Sequence, residues 1–256
     1  LQVADQNVGY LMYNGFTRDF DPQLNDTFNY FQSQNIQNLV LDLRYNSGGS
    51  VNTAILLSSM ITGQFTGQTF ATQQWNSDIQ SQLDPNALIY TFTNNDDGTP
   101  LNSLNLGKVY VLTSKSTASA SELVINCLNP YIEVIQIGTA TTGKYQASIT
   151  LYDSPDFSGQ NINPTHTYAM QPLVLKTLNA VGNTDYIDGL YPNFPAKETY
   201  GNLGTLGDPD ETLLAIALQH IVDTGKISLQ PFSNLELVGD SKDFTLTKNR
   251  MYIDGK

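Results

Sequence analysis

Apolar and polar positions follow one another along this chain in blocks, with short apolar runs typical of buried strands and longer stretches with helical spacing. The apolar runs lie at 39–43, 109–112 and 132–137. The stretches with helical spacing lie at 24–34, 54–61 and 119–128. Because strands and helices alternate, the pattern predicts an α/β core with mostly parallel strands and flanking helices.

Further elements are predicted around this core. They are strands at 8–16, 147–152 and 168–178, a hairpin with exposed loops within 68–100, and an acidic helix from 208 to 224. The strands at 147–152 and 168–178 are expected near the carboxyl ends of the core strands. We predict one core domain over residues 1–225 and a C-terminal extension of unknown role at 226–256.

The net charge of the chain bears on which kinds of molecule it can bind. The 256 residues carry a formal net charge of −12, with only 12 Lys and Arg residues. This argues against nucleic acid, because phosphate binding needs clustered cations. No apolar run is long enough to span a membrane. The chain begins at Leu1 without Met or a signal peptide, so we interpret it as a mature or trimmed form.

Three loops follow the carboxyl ends of the predicted core strands. The first contains Gly48 and Gly49, the second leads to Ser119, and the third contains Lys144, 25 residues after Ser119. Ligands of parallel sheets bind beyond the carboxyl ends of the strands. We therefore expect the three loops to converge on one site.

Residues of these loops suit acyl-transfer chemistry. Ser119 is placed at the start of a helix, where free N–H groups hold negative charge. A serine nucleophile needs a base, and a lysine whose pKa is lowered by burial can act as one. Lys144 has no acidic neighbour between 138 and 150. The oxyanion of the reaction needs N–H donors, for which the candidates are Ala120 and either Gly48 or Gly49.

Each of these features also has a purely structural interpretation. Ser119 and Glu122 have the spacing of a capping box, and two glycines suit a plain strand-to-helix turn. A lone lysine is most often solvated. Lys115 is a rival base, but it lies four residues before Ser119 and is expected to face solvent.

Other chemistries have few candidate residues. The histidines are His166 and His220, and His220 lies in a helical pattern, so a Ser-His-Asp triad would have to use His166. No orienting acid is marked near His166. Cys127 is the single cysteine and fits a buried apolar position. No residues have zinc-ligand spacing, so we expect neither a metal nor a cofactor.

Three motifs occur in a fixed order along the chain. They are Leu41-Asp42-Leu43-Arg44-Tyr45-Asn46-Ser47-Gly48-Gly49, Thr117-Ala118-Ser119-Ala120-Ser121-Glu122 and Thr141-Thr142-Gly143-Lys144. Together they resemble the carboxy-terminal processing peptidases, also called tail-specific proteases. The segment Gly189-Leu190-Tyr191-Pro192 resembles a late element of that family. The resemblance covers roughly residues 8 to 222.

The resemblance implies a ClpP/crotonase-like α/β core and a serine endopeptidase that cleaves polypeptides near an accessible C-terminal tail. It implies roles for particular residues: Ser119 as nucleophile, Lys144 as base, Ala120 and the Gly48-Gly49 turn as oxyanion donors, and Glu122 and Thr141 in support. It also implies an extracytoplasmic location, in the periplasm or cell envelope. The family usually carries an upstream PDZ domain, which we expect to be absent from this chain.

The chain departs from the family pattern at three positions. Ser148 stands where the family often has a glutamine that orients the lysine, Asn193 replaces an aspartate, and Thr117 replaces a serine. Ser148 has a shorter reach than glutamine for a hydrogen bond to Lys144. The missing glutamine leaves a catalytically silent peptide-binding protein on the same fold as the first alternative. The second alternative, which rests on the shared core fold, is a crotonase-like acyl-CoA enzyme. The second lacks a basic site for the CoA phosphates.

Overall fold

The computed structural model describes residues 1–222 and 251–253. In those residues the helices are α1 (Asp21–Ser33), α2 (Val51–Thr62), α3 (Ser77–Gln80), α4 (Ala120–Leu128) and α5 (Thr212–Val222). The strands are β1 (Gln2–Val3), β2 (Gln6–Met12), β3 (Asn38–Asp42), β4 (Gly49–Ser50), β5 (Thr69–Trp75), β6 (Ile89–Thr91), β7 (Asn95–Asp96), β8 (Thr99–Pro100), β9 (Lys108–Thr113), β10 (Glu133–Gly138), β11 (Gln146–Ser148), β12 (Leu151–Tyr152), β13 (Ala169–Met170), β14 (Leu173–Asn179), β15 (Phe194–Pro195) and β16 (Met251–Tyr252). No helix within these ranges is both long and apolar enough to cross a membrane.

The central sheet has the order β1-β2-β3-β9-β10-β15. All its strands are parallel except β1, which pairs antiparallel with β2 at the edge. Side chains alternate between the two faces of a strand. Along β3, Leu39 and Leu41 therefore enter one buried cluster and Val40 enters another. Both faces of β3 are apolar because helices cover both sides of the sheet.

The helices divide between the two faces of the central sheet. α5 packs on the face that contains Val40, and α1, α2 and α4 contribute to the larger cluster on the other face. α2 is buried along almost its whole length. It begins at Ser50, whose hydroxyl accepts a hydrogen bond from the Thr53 N–H at 3.2 Å, and it ends at Gly63 with φ of 62°.

A second sheet packs against the larger apolar cluster. Its strand order is β4-β16-β11-β14-β5-β6. β16 pairs parallel with both of its neighbours, and the pairs from β11 to β6 are antiparallel. This sheet contributes three buried side chains to the cluster, namely those of Ala147, Leu175 and Met251. β12 pairs with β13, and β7 with β8, in two small ribbons outside both sheets.

The fold prediction is confirmed: the core is α/β with mostly parallel strands, flanking helices and extra strands beside the predicted site. The predicted glycine loop after β3 contains a short strand, β4, which the sequence pattern did not indicate. Of the predicted extension at 226–256, the structure describes residues 251–253, and the rest lies outside the described residues. The domain boundary at 225 remains a prediction.

Candidate active site

The three loops meet at one edge of the central sheet. Asp42 in β3 is level with Leu112 in β9, and Thr113 is level with Gly138 in β10. The parallel strands therefore end together, and their loops continue side by side. Gly138 has φ of 130°, and a Cβ there would lie 2.0 Å from the Thr113 carbonyl oxygen. Glycine is required at this position because the two backbones touch.

Ser119 occupies an unusual backbone conformation at the start of α4. Its φ is 66° and its ψ is −116°, a region that residues other than glycine rarely adopt. The side chain is buried, and its hydroxyl oxygen makes no hydrogen bond with the described residues. A strained serine with an unused hydroxyl at a helix N-terminus is an arrangement that stability does not require.

Glu122 joins the loops of the predicted nucleophile and base. Its Oε2 accepts hydrogen bonds from the main-chain N–H of Ser119 at 2.7 Å and of Lys144 at 2.9 Å. Its Oε1 accepts from the Gly143 N–H at 2.6 Å and from the Thr141 hydroxyl at 2.5 Å. The carboxylate is fully buried. Because one oxygen atom serves both Ser119 and Lys144, Glu122 holds their main chains side by side.

Replacement of Glu122 by glutamine is expected to lower kcat about 10²-fold with little change in KM, because small displacements of catalytic groups have effects of that size. Glutamine has a single acceptor oxygen, and its NH₂ group would face N–H donors. Steady-state kinetics check this. Glu133→Gln, at a residue exposed on β10, is the matched control and should leave kcat unchanged. An unchanged kcat in Glu122→Gln would contradict the role assigned to the carboxylate.

A segment at 186–190 supports the loop that carries Lys144. Thr141 exchanges hydrogen bonds with Leu190, accepting from its N–H at 2.7 Å and donating its own N–H to the Leu190 carbonyl at 3.1 Å. A Cβ on Gly143 would lie 2.0 Å from the Ile187 carbonyl oxygen, and one on Gly189 would lie 2.2 Å from that of Thr141. Sequence analysis gave this segment no role at the site, although Gly189 was the available signal.

The loop after β3 holds the turn before Ser119 in place. The Asn46 carbonyl accepts from the Ala118 N–H at 3.1 Å and from the Ser121 hydroxyl at 3.0 Å. The Thr117 hydroxyl donates to the Leu43 carbonyl at 2.8 Å. These bonds flank Ser119 on both sides. They fix the backbone of the turn to the neighbouring loop, which offsets the strain of the Ser119 conformation.

Arg44, in the same loop, is fully buried among carboxylates. Its guanidinium donates to both oxygens of Asp42, with the shortest distance at 2.6 Å, to Glu198 at 2.7 Å and to Glu211 at 2.8 Å. Burial, together with the hydrogen bond to Glu198, raises the pKa of the Tyr45 phenol above its ordinary value. Asp42 and Arg44 both belong to the first of the three sequence motifs. Glu198 and Glu211 were missed, because they are distant in sequence.

The two glycines predicted to supply an oxyanion donor differ in their surroundings. The Gly48 N–H donates to the side-chain oxygen of Asn46 at 2.9 Å. Gly49 has φ of 144° and lies in β4, and a Cβ on it would lie 2.1 Å from the Phe16 carbonyl oxygen. Glycine is therefore needed at Gly49 for close backbone packing, whether or not its N–H takes part in catalysis.

Two residues considered beside Lys144 have other contacts. The Ser148 hydroxyl donates to the Met251 carbonyl at 2.9 Å, so it fastens β16 to β11. The Lys115 ammonium donates to the Thr141 carbonyl at 3.0 Å and spans the two loops at the surface. Lys115 is exposed, as expected for a lysine that faces solvent.

The remaining candidates lie away from the loops or are inert. Nε2 of His166 lies 3.1 Å from a carboxylate oxygen of Asp153, on the lobe between β12 and β13. His220 lies in α5, with its ring nitrogen 3.3 Å from the Tyr110 hydroxyl. Cys127 is fully buried in α4, and burial raises the pKa of its thiol, so the thiolate is disfavoured. Asp153 had not been identified as a partner of His166.

Comparison with known proteins decides the family. A family model described as peptidase family S41 matches residues 7–165, which is more than half of the chain. The chain belongs to peptidase family S41. The predicted resemblance is therefore confirmed at the level of the family. The ClpP-like description of the fold is confirmed as well, because the structural neighbours are S41 proteases.

Curated relatives are similar to this chain over part of their length. A carboxyl-terminal-processing protease of Picosynechococcus is 27% identical over 157 residues, and a chloroplastic C-terminal processing peptidase of Tetradesmus obliquus is 29% identical over 157 residues. In each case the match covers 61% of this chain. The chain spans about a third of these curated relatives, 34% and 30% respectively.

Solved S41 structures match more of the chain. An S41 protease structure from Bacteroides fragilis is 32% identical, with a TM-score of 0.75, and the match covers 88% of this chain and 57% of that one. A photosystem II D1 C-terminal processing protease has a TM-score of 0.57 at 19% identity and covers 84% of this chain and 49% of that one. The second likeness concerns the fold alone.

Proposed function

We propose that this S41 chain is a serine endopeptidase of the tail-specific type, with a catalytic dyad of Ser119 and Lys144. The observation that carries the proposal is the shared Oε2 of Glu122, which binds the main-chain N–H groups of both residues. A purely structural capping box needs only the contact to Ser119. The additional bonds to Gly143 and Lys144 bring the lysine loop to the serine.

The proposed reaction is an acyl transfer in two stages. The Ser119 hydroxyl attacks the scissile carbonyl carbon while Lys144 removes its proton, and the lysine then delivers that proton to the departing amine. This leaves an acyl-enzyme on Ser119. Water, deprotonated by Lys144, then attacks the ester carbonyl. The bond to the Ser119 oxygen breaks, Lys144 returns the proton to that oxygen, and the acid product is released. The amine of Lys144 must be neutral at the start of the reaction, because only the neutral amine can accept the proton of the hydroxyl.

Two backbone N–H groups are proposed to bind the oxyanion. One is that of Ala120, which follows Ser119 and opens α4. The other belongs to the Gly48-Gly49 turn, where Gly49 is the better candidate because the Gly48 N–H already donates to Asn46. Loss of one preorganised donor of this kind typically lowers kcat by about 10²–10³-fold.

The substrate and setting of the whole protein are part of this proposal. Two curated relatives are named as C-terminal processing enzymes. By similarity, we propose that this chain cleaves polypeptides with an accessible C-terminal tail and works outside the cytoplasm. In the family an upstream PDZ domain delivers the tail, and the absence of that domain from this chain remains a prediction.

Reaction with a fluorophosphonate, followed by mass spectrometry, tests the dyad directly. We expect one adduct on Ser119 in the wild type, none in Ser119→Ala, and labelling at least about 10²-fold slower in Lys144→Ala, as for the loss of a general base. Lys115→Ala is the matched control, since Lys115 is the rival lysine of the site, and it should label normally. An adduct in Lys144→Ala at the wild-type rate would refute the dyad, and no adduct in any form would favour a silent peptide binder.

A further inference from the structure

Residues 251–253 lie directly beside the proposed site and contain the short strand β16 (Met251–Tyr252). We call them the closing strand. In the second sheet they lie between β4, which contains Gly49, and β11, which begins two residues after Lys144. Met251 pairs with Gly49, and Tyr252 pairs with Ser148. The closing strand thus connects the glycine turn with the strand that follows the proposed base.

The main-chain groups of Gly49 point toward the closing strand. Phe16 lies on the other side of β4, and its N–H and carbonyl bond with the Gly48 carbonyl and the Ser50 N–H at 3.1 and 2.9 Å. Backbone groups of successive residues in a strand point to opposite sides. The N–H of Gly49 therefore faces Met251. The donor proposed for the oxyanion is turned toward a segment of the same chain.

The closing strand also forms hydrogen bonds with the edge of β11. The Ile253 N–H donates to the Ser148 carbonyl at 3.1 Å, and the Ser148 hydroxyl donates to the Met251 carbonyl at 2.9 Å. Met251 is fully buried in the larger apolar cluster. Ser119 is also fully buried. In this arrangement neither Gly48 nor Gly49 presents its N–H to an incoming peptide, and the nucleophile has no exposed surface.

We propose that the slot between β4 and β11 is the docking site for an extended polypeptide substrate, and that the closing strand occupies it in the resting enzyme. Substrate and closing strand would then exclude each other. This inference rests on the proposed function. Its physical basis is strand addition, in which main-chain hydrogen bonds give affinity and side-chain pockets give selectivity.

The slot also indicates which peptides fit. A strand in the place of 251–253 runs parallel to β4 and β11 and inserts one side chain into the apolar cluster where Met251 now lies. The preferred substrate segment is therefore extended and carries a long apolar residue at that position. A charged residue there would be disfavoured, because burial of an unpaired charge is costly.

The Met251→Lys variant of the full chain tests the proposal. Expelling the closing strand should raise the rate of Ser119 labelling by a fluorophosphonate about tenfold, as expected when a closed state is destabilised relative to an open one. Leu218→Lys, which places the same charge in the other buried cluster on α5, is the matched control. It should destabilise the protein without any increase in labelling rate.

A peptide added in trans supplies a second measurement. The probe is a synthetic octapeptide with the sequence Lys-Asn-Arg-Met-Tyr-Ile-Asp-Gly of residues 248–255. It should slow labelling of Met251→Lys by competition and have little effect on the wild type, whose slot is filled. If Met251→Lys does not fold, the Ser148→Cys/Tyr252→Cys variant replaces it, and its reduced form should label faster than its disulfide-locked form.

Two results would overturn the proposal and leave the peptidase in place. One is a folded Met251→Lys protein that labels no faster than the wild type, and the other is a locked variant as reactive as its reduced form. Either would make the closing strand a fixed part of the site. Failure of the proposed function is distinct, because Ser119 would then remain unlabelled in every variant.

Discussion

Replacement of Ser119 by alanine is expected to lower kcat/KM for an unfolded protein substrate by about 10⁶-fold, the size seen when a nucleophile is removed from a serine hydrolase. The change deletes one buried oxygen atom that makes no hydrogen bond with the described residues. It therefore removes the chemistry and, at most, the weak capping contact of the Ser119 side chain with the first turn of α4. Product analysis by mass spectrometry, alongside thermal unfolding, checks both halves of this expectation.

Two further variants separate the catalytic role of Ser119 from a role in stability. Ser121→Ala also removes a buried hydroxyl, but one that donates to the Asn46 carbonyl at 3.0 Å, so it should cost stability more than Ser119→Ala does. Combining Ser119→Ala with Lys144→Ala should cost no more activity than Ser119→Ala alone, because residues that act as a unit are not additive. Wild-type activity in Ser119→Ala would end the peptidase assignment to this residue.

Replacement of Arg44 by methionine is expected to lower the free energy of unfolding by about 3–5 kcal/mol, the usual cost of breaking a buried ion pair from one side. The guanidinium is fully buried, and the side chains of Asp42 and Glu211 are 0% and 1% exposed. Methionine fills much of the volume, yet it leaves these carboxylates without their cation. Equilibrium unfolding in urea measures the loss.

Lys108→Met is the matched control for the Arg44 experiment. Lys108 pairs with Glu133 at 2.9 Å, but the side chains are 36% and 58% exposed. A surface pair of this kind contributes no more than about 1 kcal/mol. If Arg44→Met cost as little as Lys108→Met, the buried cluster would not stabilise the loop that holds the turn before Ser119.

The central sheet could be predicted from the sequence because its strands are continuous apolar runs. In β3 the side chains on both faces of the sheet are buried, as Leu39, Val40 and Leu41 show. A continuous apolar run of this kind is typical of a parallel strand that helices cover on both sides. The convergence of the three loops followed from topology alone, since parallel neighbouring strands end at a common edge. Both inferences depend on local pattern, which a single sequence contains.

The parts that escaped prediction depend on long-range pairing. β4 and β16 have two residues each, too few for an alternating pattern, and they form only because β16 lies between β4 and β11. Glu198 and Glu211 lie more than 150 residues from Arg44, so charge patterning gave no sign of their contacts. Ser148 was considered as a residue that orients Lys144 because it follows the lysine by four residues. Its hydroxyl instead donates a hydrogen bond to the carbonyl of Met251, which is distant in sequence.

The close approach of the 139–144 and 186–190 segments limits which sequence changes this protein can tolerate. At Gly143 and Gly189 each backbone occupies the space that a side chain on the other would need. Neither segment can therefore be altered or transplanted alone without moving Lys144. Grafting the lysine loop from a homologue would succeed only if both segments were exchanged as a matched pair, and natural drift at these glycines should be limited in the same way.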